Sequence, residues 1–410
     1  MMNSRPPQYL QYLYSYPHKT AYQTFTSPVA IANYLEQLTD KKASLYFHIP
    51  FCRYKCGFCN LFSLQGCNNS RIEAYLETMK RQAGQLSTFT KDLSFTSFAI
   101  GGGTPLVLNE SQLETVFDIA SLLGVDTSKT FTSIETSPDF TNKQVLGLLK
   151  ERGVERISIG IQSFRQEELQ KIRRSVSIET CASALETIQQ ATFPQFNIDL
   201  IYGIEGQTVE SFLTSIQIAL SYQPTELFMY PLYARQELQD SSRAKDEILY
   251  IMYKAGRDAL IEQSFTQTSM RRFVKKASPD LEYSCGDETM ISCGCGGRSY
   301  IGKLHYATPY ATKQTEIRTI IDQYIKTTDF TLATNGLILS REEQRKRYII
   351  KNLLYYKGID KADYEQRFGE AFHFPFELLI DENLVEDKEG FIRLTREGLA
   401  YSDEIGLLFV

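Results

Sequence analysis

The sequence predicts an α/β protein: a partial (β/α)6 barrel followed by a small C-terminal winged-helix-like unit. Three observations carry this expectation. Short apolar segments alternate with helix-period segments six times between residues 44 and 233. That rhythm changes near residue 245. The last stretch, from residue 336, places helices ahead of a short hairpin. Strands separated by helices indicate a parallel sheet, and six such units suit a partial barrel better than a small open sheet. At 410 residues, with 42% hydrophobic and 23% charged, the chain is long enough for one large domain with smaller attachments.

The candidate strands are 44–49, 95–100, 130–136, 156–161, 195–202 and 226–233. Each is a short apolar run bounded by turn residues. Between them, helix periodicity covers 70–87, 110–123, 141–152, 165–191 with a break near Ser175, and 207–221. Beyond the sixth strand, 245–263 and 312–326 read as helices around the glycine-rich "CGDETMISCGCGGRSYIG". The expected organisation is an N-terminal extension (1–40), the barrel (41–240), a barrel-closing region with the glycine-rich loop (241–335) and the winged-helix-like unit (336–410). No internal repeat or low-complexity run is present.

A net charge of −5 and a pI of about 5.6 argue against a broad nucleic-acid footprint, and "LIDENLVED" makes the C-terminal unit a poor phosphate binder. That unit is expected to pack over the barrel and shape a pocket. The first 22 residues contain no apolar core of signal-peptide length, and no stretch approaches the ~20 apolar residues of a membrane span. A cytoplasmic protein with no membrane and no nucleic-acid partner is expected. Eight cysteines in this length are too few for a disulfide scaffold, so clustered thiols point to metal or redox work.

The cluster is "HIPFCRYKCGFCNLFS", which spaces Cys52, Cys56 and Cys59 as C-x3-C-x2-C in a loop after a strand. A closed zinc site takes four ligands, so zinc would need a distant fourth. Three thiolates on a cubane iron–sulfur cluster leave one iron open, and an open iron can chelate an amine and a carboxylate together. S-adenosylmethionine (SAM) carries both. One electron from the cluster can then cleave its sulfonium and release a carbon radical, chemistry that the cofactor carries and the protein aims. Three buried thiols acting as small hydrophobes is the alternative without function.

Gly101, Gly102, Gly103 and Thr104 directly follow the second strand, where missing side chains allow backbone to approach a ligand. Glu135, Gln162 and Asp199 fall at the carboxyl ends of three successive strands, the end at which barrel enzymes gather their chemistry. A carboxylate there suits a ribose diol or an amine; a solvated strand end is the plainer reading. His48 fits a satisfied histidine near the cysteines better than a ligand. Cys293 and Cys295, with Cys285, can form an auxiliary metal site or simply occupy a glycine turn. Cys67 and Cys181 read as incidental.

The ordered blocks "YFHIPFCRYKCGFC", "IGGGTP", "SIETSPD", "RISIGIQSF", "NIDLIYGIEGQT" and "CGCGGRSYIG" resemble the radical SAM superfamily. Within it they resemble the group of oxygen-independent coproporphyrinogen III dehydrogenase (HemN), the haem chaperone HemW and HemN-like (class C) methyltransferases. The resemblance implies a [4Fe-4S] cluster on Cys52, Cys56 and Cys59, and SAM contacts from Tyr46, Phe58, Gly102, Gly103, Thr104 and Glu135. Gln162, Arg174 and Asp199 match positions around a second SAM molecule. Tyr233 and Arg298 match SAM-contacting positions whose contacts run through backbone.

It further implies a 5′-deoxyadenosyl radical, a porphyrinogen-like tetrapyrrole substrate decarboxylated at its propionates, and a low-potential electron donor of flavodoxin or ferredoxin type. A methyltransferase and a haem-binding carrier are the alternatives. Departures from the pattern are Leu61 where HemN has a further cysteine, Glu205 in place of the usual proline, and Val176 where the chaperone has histidine. The segment before the cysteine loop resembles the dehydrogenase's N-terminal extension, which the chaperone lacks.

Overall fold

The structure, a computed structural model, describes residue 2, residues 5–9, residue 13 and residues 16–233, 245–275 and 289–410. Along the chain the strands are β1 (Gln23–Ala30), β2 (Lys42–Ile49), the two-residue β3 (Phe51–Cys52) and β4 (Leu64–Gln65), β5 (Ser94–Gly102), β6 (Phe131–Thr136), β7 (Arg156–Gln162), β8 (Gln195–Tyr202) and β9 (Glu226–Pro231). They continue as β10 (Thr266–Gln267), β11 (Arg272–Val274), β12 (Thr289–Cys293), β13 (Arg298–Ile301), β14 (Leu304–Ala307) and β15 (Leu332–Ile338). The C-terminal unit adds β16 (Ile359–Asp360), β17 (Val385–Lys388) and β18 (Phe391–Leu394).

β2, β5, β6, β7, β8 and β9 pair in parallel in that order, which is the expected six-unit partial barrel. The alternation of side chains along a strand explains how these segments serve both faces. On β7, Ile157, Ile159 and Ile161 are fully buried, while Arg156, Ser158, Gly160 and Gln162 face the barrel interior and line its cavity. On β8, Ile198 and Leu200 are buried and Asn197 and Asp199 face inward. The outer face packs on amphipathic helices. Asn69–Leu86 buries Ile72, Tyr75, Leu76, Met79 and Ala83, a stripe at helical spacing. Its start is fixed by Asn68, whose side chain accepts from the Arg71 N–H. The expected break near Ser175 is real: Gln166–Lys171 and Ile178–Ala191 are separate helices.

The sheet extends past the six strands on both sides. β12 pairs in parallel with β2, and β13, β14, β15 and β1 continue from it antiparallel. β11 and β10 follow β9 on the other side. The glycine-rich segment is therefore not a loop alone: it supplies β12 and β13, and the turn between them lies against the cysteine loop. The C-terminal unit sets the helices Arg341–Leu353, Lys361–Phe368 and Glu377–Asp381 against a three-stranded sheet of order β16-β18-β17, the winged-helix-like arrangement expected. No helix among the described residues is long and apolar enough to cross a membrane.

Candidate functional site

The barrel encloses a cavity of about 850 Å³ at the carboxyl ends of its strands. Cys52, Cys56, Cys59, Tyr46, Phe58, Gly103, Thr104, Glu135, Gln162, Arg174, Asp199, Tyr233 and Arg298 all line it. Gly102 is the exception. Its φ of +116° is one that L side chains rarely adopt, and a Cβ there would lie 2.9 Å from the His48 ring. Its N–H instead reaches the Glu135 carboxylate, so it supports a cavity residue rather than forming the wall.

The cysteine loop is held by backbone. The Gly103 N–H donates to Ile49 O (2.8 Å), the Thr104 N–H to Phe51 O (2.8 Å) and the Gly57 N–H to Ile172 O (2.9 Å). These glycine-turn amides are thus already engaged, and what Gly103 offers is space. A Cβ on Gly103 would meet Phe51 O at 2.5 Å and Cys52 Sγ at 2.9 Å. His48 is satisfied on both nitrogens, with Phe62 O 2.9 Å from Nε2 and the Tyr46 hydroxyl 3.0 Å from Nδ1. Burial lowers it to about 4, so it is neutral.

The donor set fits an iron–sulfur cluster. Burial pushes the Cys59 thiol up to about 12 and raises that of Cys52, a cost that iron offsets by taking the thiolate. Among the described residues no three His, Cys, Asp or Glu side chains converge on one point as ligands of a single ion do. A cubane is gripped at separate corners and needs no such convergence. Arg174 is buried beside these sulfurs: one guanidinium nitrogen is 3.4 Å from Cys56 Sγ, another donates to Gly160 O, and Nε has no partner in the protein. A buried donor without a partner is costly and marks a place where a ligand is received.

Further round the cavity, Gln162 sits at a register shift between β7 and β8 with φ of +77°, a bulge that folds its side chain over Gly160. Burial pushes Glu135 up to about 7, with Asp199 adding to the rise and Arg156 opposing it. Asp199 is raised by burial to about 6 against the pull of a 2.7 Å hydrogen bond from Asn197. Arg156 and Asn197 were missed in the sequence. The signal was there: both are polar positions at period two on otherwise apolar strands. Arg156 is held by Glu226 at 2.9 Å.

Cys293 and Cys295 are fully buried, and Cys295 Sγ lies 3.5 Å from Thr308 Oγ1; Cys285 lies outside the described residues. Cys181 is buried on its helix and Cys67 is half-buried, its thiol raised by burial against the pull of Arg71.

A parallel barrel with a cysteine trio at its carboxyl end defines the class. The family described as the radical SAM superfamily matches residues 46–219, and the HemN C-terminal domain matches residues 339–401. Residues 46–219 are thus a radical SAM domain, a family that implies a [4Fe-4S] cluster and SAM, and residues 339–401 a HemN C-terminal domain. The haem chaperone HemW of Bacillus subtilis is 25% identical, over 88% of this chain and 97% of its own length. The oxygen-independent coproporphyrinogen III oxidase of Escherichia coli is 24% identical, over 97% of this chain and 90% of its own. The solved structure of coproporphyrinogen III oxidase (HemN) from Escherichia coli superimposes with a TM-score of 0.83 at 22% identity, covering 97% of this chain and 96% of that one, which establishes the shared fold.

Proposed function

We propose that this protein is an enzyme that binds a [4Fe-4S] cluster through Cys52, Cys56 and Cys59 and acts on a tetrapyrrole bearing propionate side chains, oxidatively decarboxylating a porphyrinogen. When bound, cluster and SAM supply one-electron cleavage of the sulfonium and removal of hydrogen from the substrate. The observation that carries the reading is the charge of the cavity. Its described lining includes Lys19, Arg53, Lys55, Arg156, Arg174 and Arg298 but only Glu135 and Asp199 as acids, in a chain with 49 acidic and 44 basic residues. Arg156 is paired with Glu226 and Arg53 with Asp139, and the basic groups of the lining still outnumber the acids, which suits a polycarboxylate.

The protein's own groups divide the work. Arg174 offers its unpartnered Nε beside Cys56. Glu135 and Asp199, half-neutral near pH 7 and pH 6, take up a cation or a hydroxyl, and a cationic ligand draws a proton off each. Lys19 and Lys55 donate to backbone carbonyls, Asn60 O and Thr312 O, and line the cavity that would receive a substrate carboxylate. The electron comes from a low-potential donor of flavodoxin or ferredoxin type.

Relatives named as haem chaperones favour a second reading, a haem carrier. Against it, the coproporphyrinogen oxidase relative spans 97% of this chain and the chaperone relative 88%. The reconstituted protein, given reductant, SAM and coproporphyrinogen III, is expected to release carbon dioxide alongside deoxyadenosine. S-adenosylhomocysteine as product indicates a methyltransferase, and stoichiometric haem retention without either product indicates the carrier.

A further inference from the structure

The residues that hold Tyr233 belong to other parts of the chain. Tyr233 follows β9 and lines the cavity, and its hydroxyl donates to Asp403 Oδ2 at 2.7 Å. Arg271, just before β11, donates both to that hydroxyl and, at 2.5 Å, to Asp403 Oδ1. The ion pair is buried, with side chains 6% and 4% exposed. Asp403 lies on the last helix, Ser402–Leu407, of the C-terminal unit. Its neighbour Glu404 takes the Arg5 guanidinium and the Gln8 N–H, and Tyr401 donates to Arg5 O. A buried ion pair is a poor source of net stability but a strict fixer of geometry, because breaking one side leaves a charge without its partner.

We infer that Asp403 and Arg271 are positioning residues for the cavity: through the Tyr233 hydroxyl they fix one wall of the SAM and substrate site, so the C-terminal unit completes that site. Neither lines the cavity itself. The phenol is the part that links the two, and the wall at Tyr233 is fixed only when the last helix is seated. The inference rests on the SAM site of the family and not on the choice of tetrapyrrole, so a failed decarboxylation assay leaves it standing.

The test uses the full chain. SAM binding is measured by equilibrium dialysis, with and without the cluster, for Tyr233→Phe, Asp403→Asn and the double variant. Each single change is expected to weaken binding about tenfold, and the double no more than either, because all three cut the same link. Tyr233→Phe leaves the Arg271–Asp403 pair in place, so its unfolding midpoint stays near that of the parent and it decides the question even where Asp403→Asn does not fold. The 19F resonance of 3-fluorotyrosine at residue 233 is expected to shift or split in Asp403→Asn. Tyr233→Phe binding SAM as the parent does, or losses that multiply in the double variant, would overturn the inference.

Discussion

The two sides of the cavity are held by opposite means. The cysteine loop hangs on backbone hydrogen bonds, from Gly57 to Ile172 and from Gly103 and Thr104 to Ile49 and Phe51. The far wall hangs on side chains, with the Arg271–Asp403 pair gripping Tyr233. A backbone-held wall tolerates the trimming of its side chains but not an added atom at a close approach. A side-chain-held wall behaves in reverse. The first arrangement suits a loop whose cysteines must be free to take iron; the second suits a wall that must await a distant segment.

The largest effect expected on the loop side is that of Cys52→Ala, Cys56→Ala and Cys59→Ala together: anaerobic reconstitution should give no brown chromophore and no deoxyadenosine. Next comes Gly103→Ala, where the new methyl meets Phe51 O and Cys52 Sγ. Overpacking of this kind costs about 1–3 kcal/mol, and iron content measured after reconstitution should fall with the denaturation midpoint. If Gly103→Ala loads iron normally, the backbone-held description of the loop is wrong.

A smaller effect separates the interior from both walls. Glu135 is raised to about 7 in the folded protein from an ordinary 4.5, so the folded state holds that proton more tightly than the unfolded one. Stability is therefore unaffected below about pH 4.5, falls as pH rises to about 7, and is level above. Glu135→Gln should remove that fall, so that between pH 5 and pH 7.5 the parent, without SAM, loses about 2–4 °C more in unfolding midpoint than the variant. The smallest effect is Lys55→Gln: its contact to the Thr312 carbonyl is on a half-buried surface, and stability should change by less than about 1 kcal/mol, while affinity for a tetracarboxylate porphyrin drops measurably in fluorescence titration.

The barrel was legible because its strands are short apolar runs closed by turns: residues 195–202 form β8 at the expected bounds, and 44–49 lies within β2. The cysteine loop was legible because its ligands are close in sequence. The outer strands were not. β12, β13 and β14 are four or five residues long, too short for a periodic signal, and β12 finds its parallel partner β2 across about 240 residues of chain. β1, which pairs with β15, is mostly exposed and so shows no buried alternation. Asp403 was hidden for another reason: "YSDEIG" reads as the solvated face of a terminal helix, and only the fold brings Arg271 and Tyr233 to it. The glycine run showed that space is needed there, but not that at Gly102 it is the His48 ring that needs it.

The parallel pairing of β12 with β2 also has a temporal meaning. At the pace of synthesis, roughly 5–20 residues per second, the nascent β2 spends tens of seconds with one edge bare before its neighbour leaves the ribosome. The turn that carries Gly296, which later lies against His48 on that flank, is made only after all six barrel strands.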